Sequence, residues 1–410
     1  MPKYFLLLQG VSSPFFARLS DSLVAAGQRV SKINFNCGDH AYWRPLKPVE
    51  NTWAFAEPAA ALPAWLAAKM AAHGFTDVVL FGDRRPLHIA AIAEARRCGV
   101  RVHVFEEGYF RPHWVTLERG GVNRYSALPR EPDWYLQHAG QIADTPCTPI
   151  HTPLRVRAAH DIAYHLANIG NAVAFANYRT HRPYNAFIEY AGLAKRFAML
   201  RWCAERDALI CKALLASARP FFLLPLQLDS DAQIRDFSTF SGMGEVIDTV
   251  IRSFARAASP DAHLLIKNHP LDTGFVAYPP IIQRVAAELA VAGRVHFIET
   301  GDANPLLAQA RGVVLVNSTV GTAALEIGCP IKTLADPIYN LAGLTFQGDL
   351  DRFWLRPQRP QPALVAAFRK MVIHCTMVNG GFYTQDSMDI AARGALRLLT
   401  ADKSPIEELQ

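Results

Sequence analysis

Twice along this chain, short apolar runs alternate with amphipathic stretches of helical spacing, and this alternation restricts the possible folds more than any other feature. Runs at 4–9, 30–34, 78–81 and 102–105 read as strands. The segments 14–26, 63–72 and 87–98 read as helices, the first and last of them closed by Gly27 and Gly99. The pattern returns with strands at 221–224, 263–267, 295–298 and 312–316 and helices at 243–257, 281–292, 305–310 and 322–327, the last closed by Gly328. Strands that alternate with helices pair in parallel, so each half is expected to form an α/β, Rossmann-like domain.

Between the halves, Pro129, Pro132, Pro146, Pro149 and Pro153 exclude one continuous element, and an Ala-rich helical pattern then runs over 156–218 with a break at His181-Arg182-Pro183. A chain of 410 residues exceeds one ordinary core. The expected plan is a domain over 1–150, a helical bridge over 151–219, a second domain over 220–390 and a tail over 391–410. Two Rossmann-like domains facing a central cleft, with a helical insert between them, make up the GT-B architecture; this step is analogy at the level of fold.

Composition narrows the function. Half the residues are apolar and 19% are charged, which excludes a disordered chain. The net charge of +6 gives a mild bias towards anionic ligands or a membrane surface and does not point to nucleic acid. The seven cysteines include no CxxC pair, so they are expected to be reduced, buried thiols, and no metal is expected from Cys37 and His40 alone. The apolar run after Lys3 stops at Gln9, short of the roughly 7 to 15 residues of a signal core, so a cytoplasmic protein is expected.

Three polar islands stand where apolar runs end: Glu106-Glu107-Gly108, Lys267-Asn268-His269-Pro270 and Asn317-Ser318-Thr319. Open α/β sheets bind ligands outside the carboxyl ends of their strands, so these positions are the candidate site. Hydroxyls at the start of the 322–327 helix either cap it or meet an anion. Lys267 and His269 suit a phosphate and the charge that builds on it as it leaves. One of Glu106 and Glu107 suits a base or a nucleophile, the bland alternative being an ion pair with Arg111 or Arg84. Gln227, Asp229 and Ser230, which follow a strand of the second half, are further candidates for the cleft, as is the turn at Gln9 and Gly10. Gln9-Gly10-Val11-Ser12-Ser13 is no P-loop and no complete GxGxxG occurs, so neither ATP nor NAD is expected.

The order acidic-Gly, His-Pro, Ser-Thr resembles that of bacterial sialyltransferases and related enzymes that use CMP-activated ulosonic acids. The stretch from Phe105 to Glu118, FEEGYFRPHWVTLE, with Gly120-Gly121-Val122-Asn123 after it, is similar more narrowly to the capsule polysaccharide synthesis proteins of the KpsS/LipB type. So are Leu7-Leu8-Gln9-Gly10 with Pro14-Phe15-Phe16, Pro225-Leu226-Gln227 with Asp229-Ser230, and Pro337-Ile338-Tyr339-Asn340.

This resemblance implies a GT-B β-Kdo transferase that takes Kdo from CMP-β-Kdo to a lyso-phosphatidylglycerol acceptor, with retention and without metal or other cofactor. It implies that Lys267, His269 and Pro270 meet the CMP phosphate, that Asn317, Ser318 and Thr319 bind that phosphate or the cytidine side, and that Glu106 or Glu107 is the catalytic carboxylate. A place at the inner face of the inner membrane and a capsule biosynthesis or export complex are implied as partners. Arg179, Arg182, Lys195, Arg196 and Arg201 lie among Phe175, Tyr178, Tyr184, Phe187, Phe197 and Trp202, a mixture suited to an anionic bilayer. Two rivals stand beside this reading: a GT-B transferase or epimerase that uses a UDP-sugar, and a non-catalytic scaffold of capsule assembly or export.

Overall fold

The computed structural model describes residues 2–180, 182, 184–217, 219–229, 234 and 237–409, so Ser230 and Asp231 lie outside the described residues. The strands are β1 (Tyr4–Leu7), β2 (Arg29–Asn34), β3 (Asn51–Ala54), β4 (Asp77–Phe81), β5 (Arg101–Glu107), β6 (Trp114–Arg119), β7 (Phe221–Pro225), β8 (His263–Lys267), β9 (Val295–Ile298), β10 (Gly312–Leu315), β11 (Ile331–Thr333) and β12 (Met377–Asn379).

They form two sheets in two compact units. The first unit comprises Met1–Leu128, Gly140–His181 and Arg369–Gln410. Its sheet runs β12-β6-β5-β4-β1-β2-β3, parallel from β5 to β3, with β6 antiparallel to both β5 and β12. β1 shows why the chain chooses this form. Phe5 and Leu7 join one buried cluster with Phe15, Leu19 and Phe105, while Tyr4, Leu6 and Leu8 join another with Leu62, Leu66 and Leu80. A strand apolar on both faces needs cover on both, and the flanking helices supply it.

The second unit comprises Pro129–Ala139 and Arg182–Phe368, and its all-parallel sheet runs β11-β10-β7-β8-β9. Phe222, Leu224, Leu264 and Ile266 pack against Val246, Ile247, Val250 and Phe254 of the helix Met243–Ala257. Both expected Rossmann-like α/β domains are therefore present. Among the described residues no helix is long and apolar enough to cross a membrane.

Several expected boundaries are corrected. Residues 391–410 are no tail: the helix Gln385–Thr400 turns Ala391, Ala395 and Leu399 into the first unit's core against Phe15 and Leu23. The 151–219 bridge is divided, since 140–181 packs into the first unit and the helix Ala186–Ala216 into the second. The expected helix 281–292 is Tyr278–Glu288, because Pro279 and Pro280 fit a first turn whose N–H groups have no intrahelical partner. The thiols are free but not uniformly buried: Cys98 and Cys147 are exposed.

Candidate active site

In the first unit, sheet order reverses between β1 and β4, and the carboxyl ends of β1, β4 and β5 lie side by side there. This is a topological switch point, the place where such sheets hold ligands. Glu106 and Glu107 end β5, and alternation along the strand sends their side chains apart. Glu107 Oε1 is ion-paired with Arg157 Nη2 at 3.1 Å and accepts from the Tyr383 hydroxyl at 3.4 Å. The expected partners were Arg111 or Arg84. Arg157 takes their place, because the helix Leu154–Ala167 belongs to this unit, whereas Arg111 is exposed and donates Nε to the Gly108 carbonyl at 3.2 Å.

Glu106 has a different environment. Among the described residues no cation lies within ion-pair distance of it, and its Oε1 accepts from the Glu107 backbone N–H at 2.9 Å. Burial, with the Glu107 and Asp83 charges adding to it, pushes its pKa up to about 7, against the pull of that backbone N–H and of Arg85. Gly82, at φ 73°, brings the β4 turn close enough that a β-carbon there would lie 3.5 Å from Glu106 Oε2. Arg85 Nη1 donates to the Gly10 carbonyl at 2.9 Å, tying the ends of β1 and β4 together. Gly108 is required, since a β-carbon would overlap the Trp114 carbonyl.

Gln9 and Gly10 are structural in this arrangement. The Gln9 amide is buried and donates to Tyr164 Oη at 2.8 Å and Tyr178 Oη at 3.1 Å, and Gly10 packs on the Phe16 ring.

In the second unit β10, β7 and β8 are neighbours, so the second and third islands meet at one sheet edge. Gln227 joins that edge to the third island: its Nε2 donates to Asn317 Oδ1 at 3.0 Å and its Oε1 accepts from the Asn317 N–H at 3.2 Å. Lys267 is buried, its Nζ donating to the Asn268 carbonyl at 3.3 Å. Burial lowers its pKa, opposed by the Asp302 carboxylate. His269 is partly exposed and its Nδ1 accepts from the Leu271 N–H at 3.1 Å, which leaves the ring proton on Nε2 as a donor. Pro270 is exposed beside it.

Ser318 Oγ accepts from the Val320 N–H at 3.2 Å, so this hydroxyl closes its own turn. The Ser318 carbonyl accepts from the buried Tyr339 hydroxyl at 2.6 Å, which puts Tyr339 where a β-carbon on Gly321 would overlap it. Thr319 is exposed at the start of Val320–Ile327. Asp229 proves to be a cap: its Oδ1 accepts from the Met243 N–H at 2.7 Å at the start of Met243–Ala257.

Two arginines escaped the sequence reading. Arg85 follows Gly82-Asp83 at the end of an apolar run and so carries the same signal as the three islands. Arg196 reads as one more cation of the membrane patch, but it is buried, with Nη1 at 3.2 Å from Asp272 Oδ1 and Nη2 at 2.7 Å from Glu299 Oε2 and 3.4 Å from the His269 carbonyl. Asn268 Nδ2 donates to the same Glu299 oxygen at 2.9 Å. Phe175 is buried too and leaves that patch.

The capsule polysaccharide biosynthesis protein family matches residues 76–383. The capsule polysaccharide export protein KpsS of Escherichia coli is 33% identical over 93% of this chain and 97% of its own length. The capsule polysaccharide modification protein LipB of Neisseria meningitidis is 35% identical over 93% of this chain and 91% of its own. Among solved structures, the Thermosulfurimonas dismutans KpsC β-Kdo 2,7 transferase aligns over 98% of this chain and 99% of its own, at 15% identity and a TM-score of 0.45.

Proposed function

This chain belongs to the capsule polysaccharide biosynthesis protein family, and from that premise we propose that it transfers Kdo from CMP-β-Kdo to a lyso-phosphatidylglycerol acceptor with retention of configuration. The observation that carries the reading is the division of labour between the paired carboxyls. Glu107 is held by Arg157, while Glu106, at the switch point, titrates near neutrality. A carboxylate nucleophile must be ionised to attack, and a raised pKa close to the working pH makes it the stronger nucleophile while leaving it substantially ionised.

In this reading CMP docks at the edge of the second unit. The His269 Nε2–H faces the phosphate, Lys267 supplies positive potential from below, and Ser318 and Thr319 line the rest of the nucleotide subsite. Glu106 attacks the anomeric carbon as its bond to the CMP oxygen breaks, forming a glycosyl ester. On the face that CMP has left, the acceptor hydroxyl then attacks the anomeric carbon, loses its proton to solvent and displaces Glu106 as the free carboxylate, so the two inversions restore the β configuration. The charge on departing CMP is met by His269, Lys267 and the start of Val320–Ile327, so no divalent ion is required. Because the acceptor is a lipid, the enzyme works peripherally at the inner face of the inner membrane, beside the other capsule proteins.

The test is CMP release from CMP-β-Kdo in the presence of a lysolipid acceptor, with EDTA in a parallel arm. Acceptor-dependent CMP release that EDTA leaves unchanged is the expected result. Tighter calorimetric binding of UDP than of CMP would sink the donor assignment.

A further inference from the structure

The helix Ala186–Ala216 has 31 residues, about 46 Å of rod, and only one side of it is used by the fold. Arg196, Asp207 and Leu214 point inward; Asp207 Oδ2 accepts from the Glu299 and Thr300 N–H groups at 2.8 and 2.9 Å. On the other side Ile188, Met199, Trp202 and Leu209 are 55%, 52%, 88% and 67% exposed. At about 100° per residue these four fall within an arc of about 80°, forming one stripe along the helix. Lys195 lies inside that stripe, and Arg201 and Lys212 lie about 60° to 80° round the helix from one edge of it, all three exposed, against a single exposed acid on that side, Glu205.

We infer that this outer face is a docking surface for an anionic lipid bilayer. The apolar side chains are strung out singly over about six turns, too sparse for the close-packed centre of a protein interface. Tryptophan with long basic side chains around it is the composition that settles at the level of lipid headgroups, the rings entering the acyl boundary while the cations meet phosphate. The positive excess selects an anionic surface over a neutral one. The inference deepens the lipid-acceptor reading above and rests on it for the identity of the lipid.

The full chain is sedimented with vesicles of phosphatidylglycerol and phosphatidylcholine, and with phosphatidylcholine alone, at low and high salt. Binding is expected only with the anionic vesicles, and it should weaken with salt. Trp202→Ser with Leu209→Ser should lower the affinity by about tenfold or more. Lys195→Glu with Arg201→Glu should lower it by about fivefold per cation. Absence of wild-type binding overturns the inference, as does binding that both double variants retain, and so does a dimer of the wild type that Trp202→Ser with Leu209→Ser dissolves, which would make the face a contact between copies. Turnover with a short-chain, freely soluble lysolipid is followed in parallel. An enzyme that releases CMP there but ignores vesicles loses only this inference. One that binds vesicles through this face but never releases CMP loses only the proposed reaction.

Discussion

Glu106 and Glu107 are adjacent in sequence and unlike in chemistry, so each can be tested against the other. Glu106→Gln is expected to abolish turnover while CMP still binds, whereas Glu107→Gln should cost less and act through the loosened Arg157 contact; mass spectrometry of the trapped enzyme should find the sugar on Glu106. In the proposed mechanism Glu106 must be ionised to attack, so kcat of the wild type should rise with pH through about 7. Stability should move the other way. A carboxyl whose pKa is raised on folding, here from 4.5 to about 7, holds its proton more tightly in the native state. It therefore destabilises the fold progressively as pH climbs between those two values. Glu106→Gln should thus be neutral to stability below pH 4.5 and stabilising above pH 7, by an amount on the order of 2 kcal/mol after allowance for its partial exposure, readable in urea melts at the two pH values. His269→Ala should lower kcat by about 10²- to 10³-fold with an unchanged circular dichroism spectrum. Near-normal turnover would return His269 to a purely structural role.

At the scale of elements, the helix Ala186–Ala216 is what steadies the His-Pro turn. Arg196 neutralises Asp272 and Glu299 in one buried cluster, and its removal leaves both acids without their cation. Arg196→Met should therefore cost about 3 to 5 kcal/mol and weaken CMP binding together with it, while Arg196→Lys, which keeps the charge but loses the fork, recovers only part of either; melts and calorimetry measure both. The helices and central strands were legible because each apolar run ends at a glycine or a polar turn. β3, β6 and β12 were not. β3 is an edge strand with every residue at least partly exposed, β12 has three residues, and β6 mixes charged with apolar positions. The site was legible to the same depth. Its polar islands stand out against the strands that carry them, but the partners that distinguish them, Arg157 and Tyr383 for Glu107 and Arg196 for the turn after β8, come from helices and loops about 50 to 280 positions away, where no local pattern marks them.

At the scale of the molecule, the second unit is nearly one stretch of chain, whereas the first is assembled from three, the last beginning at Arg369. A fragment 1–181 lacks the helix Gln385–Thr400 and so exposes Phe15, Leu19 and Leu23, which that helix covers. It is expected to bind ANS and show no cooperative melt, and to recover one when a peptide spanning 369–409 is added; a cooperative melt of the fragment alone would refute this. The same arrangement bears on how the polypeptide matures during synthesis. Domains commonly fold in the order in which they leave the ribosome, amino-terminal first. Here the amino-terminal sheet must wait for segments translated last, so the second unit is complete while the unit carrying Glu106 is still open, and a nascent chain would acquire the proposed nucleotide subsite before the proposed reactive carboxyl.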